Sequence, residues 1–265
     1  MIFNSLEFLI FLPIVFLLYW FVFNKSLSIQ NLLVLISSYI FYGWWDYRFL
    51  SLIVLSTVVD YFVGIKIQKG ENRKIYLWIS IIFNLGILCI FKYFNFFIDS
   101  WIDFLSLLGY QIQSISTLNI ILPVGISFYT FQTMSYSLDI YNNKIKPTKN
   151  FIAFASFVAF FPQLVAGPIE RASHLLPQML NKRIANFELF KSGFHQIIVG
   201  FFKKVVVADN IAIIVDKFYD NPFLYSENSL FTIIIIIFYG FQIYCDFSGY
   251  SDIAIGISKL FGFNL

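Results

Sequence analysis

The feature that most constrains this chain is a succession of apolar runs almost free of charge, at Leu6–Phe23, Ser28–Trp45, Phe49–Ile67, Ile75–Ile98, Leu118–Leu138, His195–Val215 and Ser229–Phe247. A run of about 20 apolar residues crosses the ~30 Å hydrocarbon core of a bilayer as one helix. Hydrophobic residues make up 59% of the 265 residues and charged residues only 12%, whereas soluble domains sit near ~45–50% and ~25%. The chain carries 35 Phe, 16 Tyr and 5 Trp, a load that suits lipid-facing helices and aromatic belts at the bilayer surface. A soluble core could not hide this much apolar surface, so the lipid bilayer is the first partner the sequence implies.

The run from Leu6 has no Lys or Arg before it and no small-residue cleavage site after it, so it reads as a retained span rather than a signal peptide. A shorter stretch, Phe151–Val165, contains Pro162 and runs into Gly167 and Pro168. Its length before these breakers predicts a re-entrant segment. The closing segment Tyr250–Phe263 reads as a further short membrane or interfacial piece. No internal repeat or low-complexity linker divides residues 1–265, which predicts a single membrane domain.

Loop charges set an orientation. The link Lys66–Lys74 and the link holding Lys144, Lys146 and Lys149 are basic, whereas the link after Ile98 carries Asp99 and Asp103. Because Lys and Arg are retained on the cytoplasmic side, the N-terminus is expected outside. The basic stretch Arg171–Lys191 then falls inside, and Asp216–Glu227 outside.

Several chemistries drop out. The net charge of +3 is scattered over short loops, so no basic face exists to neutralise the phosphates of a nucleic acid. Cys89 and Cys245 lie far apart in apolar runs, without neighbours at metal-ligand spacing, so neither a disulfide nor a metal site is expected. His174 and His195 stand beside no Ser, Cys or carboxylate pattern that would make a triad, and no GxSxG or HExxH occurs. No residue is assigned as catalytic.

Polar residues at membrane depth are the informative ones, since an unpaired charge there costs at least ~2.5 kcal/mol. Ser127, Thr130, Thr133 and Ser137 form one helical stripe, read either as interhelical packing bonds or as a cavity wall. In YGFQIYCDFSGYSD from Tyr239, Gln242, Asp246 and Tyr250 share one face and Tyr244, Ser248 and Asp252 an adjoining one. Pairing of these carboxylates with Lys203 or Lys204 is the structural alternative to a substrate path. The broken run FPQLVAGPIER from Phe161 adds Gln163 and Gly167, and broken backbone at that depth has to line a protein or water-filled interior. Gln163, Gly167, Tyr244, Asp246, Ser248 and Asp252 are the candidate lining of a substrate tunnel.

These stretches also carry a family likeness. LPVGISFYTFQTMSYSLDIYNNKI from Leu122, FPQLVAGPIERASHLLPQM from Phe161, FFKKVVVADNIA from Phe201 and YGFQIYCDFSGYSDIAIGISKLFGFNL from Tyr239 resemble the membrane-bound O-acyltransferases, in particular the alginate O-acetyltransferase-like branch. SLEFLIFLPIVFLLYW and SSYIFYGWWD resemble that branch too, so the likeness runs through the whole chain in order.

The resemblance implies an all-α polytopic membrane protein, a helical bundle of about seven or more transmembrane helices plus a re-entrant segment. It further implies transfer of an acetyl group across the cell membrane to a polysaccharide such as alginate. Acetyl-CoA would be the donor, no cofactor would be bound, and an exported partner acetyltransferase would share the task. The family's two signature histidines lie beyond the YCDFSGYSDIA motif and do not occur here, so the chain is expected to be an N-terminal portion, inactive alone. A non-catalytic scaffold for the exported partner and a transporter are the alternatives. The transporter reading needs paired broken helices in an internal repeat, which the sequence lacks.

Overall fold

The computed structural model describes residues 1–70, 72–109, 122–164, 167–220 and 229–265, and every regular element among them is a helix. The chain opens with α1 (Leu6–Leu17), capped by Ser5, whose hydroxyl accepts from the Phe8 N–H at 3.2 Å. A π-helical turn, Leu18–Val22, continues it. Helices α2 (Leu27–Asp46) and α3 (Leu50–Gln68) follow with a short 3-10 turn between them. Then come α4 (Arg73–Leu107) and α5 (Ile126–Tyr141). Three short helices follow: α6 (Phe151–Val158), α7 (Phe161–Leu164) and α8 (Ala172–Leu180). Helix α9 (Phe187–Phe201) passes through a π-helical turn, Phe202–Ala208, into α10 (Asp209–Asp220), and α11 (Ser229–Leu260) ends the described helices.

Among the described residues three helical stretches are long and apolar enough to cross a bilayer, Leu27–Gln68, Arg73–Leu107 and Ser229–Leu260, and shorter apolar stretches occupy Leu6–Val22 and Phe151–Leu164. Helices α4 and α11 leave large apolar side chains outward, among them Trp78, Ile82, Ile90, Ile233 and Ile237. Such faces, on helices this long and apolar, suit a lipid surround rather than water. This is a helical membrane protein.

Several expected boundaries shift. Residues 118–121 of the expected span Leu118–Leu138 lie outside the described residues, and α5 begins at Ile126, after Gly125 at φ 75°. The expected span His195–Val215 begins earlier, at Phe187, where Asn186 caps the helix. The segment Tyr250–Phe263 is no separate piece but the last turns of α11 and its exit. Its polar residues do not break the helix because they bond side chains of α9.

The stretch Phe151–Val165, of which Val165 lies outside the described residues, is two short helices enclosed by protein. Every residue from Ala153 to Gln163 is buried. Broken backbone in an apolar interior needs partners, and neighbouring helices supply them. Asn150 caps α6 by accepting from the Ala153 N–H, and Gln132 of α5 donates to the Phe157 carbonyl at 2.7 Å. Ser38 of α2 accepts from the first N–H of α7, at Phe161, 3.1 Å away. Pro162 then costs nothing, because its missing N–H falls in the first turn.

The two basic links sit together. Arg73 at the start of α4 donates to the carbonyls of Ile140 and Tyr141 and to Asn143, capping the end of α5, while Tyr61 of α3 donates to the Lys149 carbonyl. Elsewhere, Tyr19 and Trp20 donate to the carbonyls of Phe261 and Leu260 and satisfy the end of α11.

The tightest packing joins α9 to α11 through two reciprocal glycine pairs. A Cβ on Gly200 would lie 2.7 Å from the Gly249 carbonyl oxygen, and one on Gly249 2.8 Å from that of Gly200. Gly193 and Gly256 repeat the arrangement one heptad away, at 2.7 and 2.6 Å. Small residues at such crossings let membrane helices approach backbone to backbone. Gly249→Val forces the helices apart, and overpacking of this kind costs ~1–3 kcal/mol or more. The variant should melt at lower temperature in detergent than Gly240→Val, since the space around Gly240 is open.

Candidate functional site

The polar residues of α11 meet α9 along one seam. Lys203 and Lys204 stand on the π-helical turn, an insertion that often marks functional positions. The two consecutive lysines reach different faces of α11. Lys203 Nζ donates to Asp252 at 2.6 Å and to Ser248 Oγ at 2.9 Å. Lys204 Nζ lies 2.6 Å from Asp246 and 2.8 Å from Asp209, and 5.3 Å from the centroid of the Tyr250 ring. Gln196 of α9 donates to Asp252 at 3.1 Å and accepts from Lys259 at 2.7 Å, so the ladder continues to the end of α11. These carboxylates are therefore paired, with the partners that the sequence offered. Charge-assisted bonds of this length are the strong ones.

Gln163 and Gly167 form a second group, inside the bundle. Gly167 N–H donates to the Gln163 carbonyl at 3.2 Å. A Cβ on Gly167 would come within 2.5 Å of Gln163 Cα and 3.3 Å of Ala254 on α11, so only glycine fits this wedge. The Gln163 side chain is buried, yet among the described residues neither its amide oxygen nor its nitrogen has a hydrogen-bond partner. Such orphans are rare in folded proteins and point to use by another group.

The candidate residues thus divide. Gln163 and Gly167 are brought together in the interior, Ser248 and Asp252 meet on Lys203, and Asp246 meets Lys204. Tyr244 is 64% exposed on the outer face of α11 and joins neither group. Of the histidines, His174 pairs with Glu170 at 2.7 Å near the surface, and His195 is exposed. Among the described residues no cluster could hold a metal ion.

One residue escaped the sequence reading. Asp60, fully buried in α3, accepts from Asn84 Nδ2 at 2.7 Å, from Ser137 Oγ at 2.9 Å and from the Ser80 hydroxyl. Asn84 Oδ1 in turn accepts from Ser56 and Thr133, at 2.7 and 3.2 Å. The stripe on α5 is here a packing device: Thr133 and Ser137 tie α5 to α3 and α4, Thr130 is buried beside them, and Ser127 lies partly exposed. A lone carboxylate in the middle of an apolar helix was the signal available.

The model of the membrane-bound O-acyltransferase family matches residues 143–265, which contain α6 to α11 and the whole Lys203–Asp252 seam. Over this stretch the chain is similar to that family. It is 39% identical over 99% of its length to a probable alginate O-acetylase of Pseudomonas syringae, covering 50% of that protein. It is 38% identical to the corresponding protein of Pseudomonas aeruginosa, again covering 50% of it. A peptidoglycan O-acetyltransferase of Helicobacter pylori is 34% identical over the full chain, which covers 55% of that relative. The chain spans about half the length of these curated relatives.

The Asp60 cluster can be tested directly. Asp60→Ala strands the donors of Ser80, Asn84 and Ser137, at about 1–3 kcal/mol each. Asp60→Asn keeps an acceptor and should lose clearly less. Thermal unfolding of both variants in detergent checks the order; equal melting would show that the cluster does not hold α3, α4 and α5 together.

Proposed function

We propose that this chain is part of a membrane O-acyltransferase that moves an acetyl group across the cell membrane for O-acetylation of a cell-surface polysaccharide such as alginate. The observation that carries the reading is the likeness to O-acetylases along 99% of the chain. The orphaned amide of Gln163, wedged by Gly167 against α11, adds a polar group free to bond a substrate inside the bundle. In this reading residues 1–265 act as one multi-pass domain of the inner (plasma) membrane. The ends bearing Lys66–Lys74 and Lys144–Lys149 face the cytoplasm, because basic loops are retained there.

Acetyl-CoA donates from the cytoplasmic side, and an exported partner acetyltransferase carries the group to the polysaccharide hydroxyl. An alcohol needs a base to take its proton before it attacks, and that role goes to neither His174 nor His195. The chain's own residues bind and orient. Gln163 and Gly167 line the buried part of the path, and Asp246, Ser248 and Asp252 fix its wall through Lys203 and Lys204. Tyr244 marks its outer edge.

Deleting the encoding gene from its host should remove ester-linked acetate from the surface polysaccharide, with wild-type sequence restoring it. Gln163→Ala and Asp252→Asn should lower the restored acetate roughly tenfold or more at unchanged protein abundance, as loss of positioning does. Full acetylation with both variants would remove these residues from the path, and unchanged acetate after deletion would remove the activity itself.

A further inference from the structure

Two cavities meet where the end of α1 faces the segment joining α8 to α9. One, of about 730 Å³, has Lys25, Lys182 and Arg183 on its walls together with Asn24 and Trp20. The other, of about 480 Å³, is a groove along α1 and α9 walled by Leu12, Pro13, Phe187 and Phe194. Phe16 and Phe190, whose ring centroids lie 5.9 Å apart, line both, so the basic cavity and the apolar groove adjoin across this pair.

The charge at the basic end is uncompensated. Among the described residues no carboxylate pairs with Lys25, Lys182 or Arg183. Arg183 is only 6% exposed and bonds neutral acceptors alone: Asn31 Oδ1 at 2.8 Å, Gln30 Oε1 at 3.4 Å and two α8 carbonyls at 3.5 Å. Its Nε has no partner. Its guanidinium lies over the rings of Phe263 and Tyr19, at 5.0 and 5.5 Å. Burial pushes its pKa below the ordinary guanidinium value. Lys25 and Lys182 are exposed at the mouth of the same cavity.

We infer that these adjoining cavities hold an anionic phospholipid, its phosphate in the Lys25–Lys182–Arg183 cavity and an acyl chain passing over Phe16 and Phe190 to Phe194. The two cavities demand the two halves of such a molecule. A free phosphate would satisfy the cations and leave the phenylalanine groove unused; a neutral lipid would fill the groove and leave the cations unpaired. Basic pockets between membrane helices recognise headgroups in this way, and a guanidinium offers a phosphate two parallel donors. The inference stands independently of acyl transfer.

The test uses the full chain, purified in a neutral detergent and mixed with equal amounts of phosphatidylglycerol and phosphatidylcholine, with retained lipid counted by native mass spectrometry. The wild-type protein should retain phosphatidylglycerol preferentially. Lys25→Ala combined with Lys182→Ala, both at exposed positions, should cut that retention about fivefold or more while phosphatidylcholine stays unchanged. Phe194→Glu, exposed in the groove, should lower it as well by placing a carboxylate where the chain lies. Circular dichroism verifies that each variant keeps its helix content. Wild-type retention by both variants would overturn the proposal. So would displacement of the lipid by a molar excess of inorganic phosphate, which would show that the cavity takes a free phosphate.

Discussion

A carboxylate enclosed by apolar helices has to be met by donors from the protein itself, because lipid offers none. Asp60 makes that demand, and Ser80, Asn84 and Ser137 answer it from α4 and α5. These bonds fix the rotation of three helices about their axes, which apolar packing against equally apolar lipid would leave loose. The consequences spread outward. With α5 held, Gln132 is in place to satisfy the Phe157 carbonyl, and Ser38 of the adjacent α2 to satisfy the start of α7. The broken, fully enclosed stretch of α6 and α7 exists because helices on either side present polar atoms at the right depth.

Much of this was legible in the sequence. The long apolar runs marked the lipid-crossing helices, and Pro162 with Gly167 marked the break in the interior. The spacing of Asp246, Ser248 and Asp252 placed them on adjoining faces. Other features were not legible, for physical reasons. The length of α11 depended on whether Tyr250–Phe263 found polar partners, and those partners are more than forty residues away in sequence, on α9. The π turn that aims Lys203 and Lys204 at two faces leaves no compositional mark. Nothing in the sequence singled out Arg183, since its enclosure comes from Tyr19, Asn31 and Phe263, brought together only by folding.

The seam and the wedge do different physical work. Along the seam, every bond of Asp252 or Asp246 to a lysine already neutralises a charge that would otherwise be costly at this depth. A substrate reaching those carboxylates would have to displace a strong bond to form one of similar worth. The seam therefore serves best as a rigid wall, held by the backbone contacts at Gly200–Gly249 and Gly193–Gly256. Gln163 is in the opposite position. Its amide is buried with both polar atoms unpaired, so a bond from an incoming polar group would be gained at no loss of an existing one. Asp246 Oδ1 also lacks a hydrogen bond but stands 2.6 Å from Lys204 Nζ, whereas the buried amide of Gln163 meets no charged or polar partner among the described residues. Gly167, by admitting no side chain, is what keeps it pressed against α11.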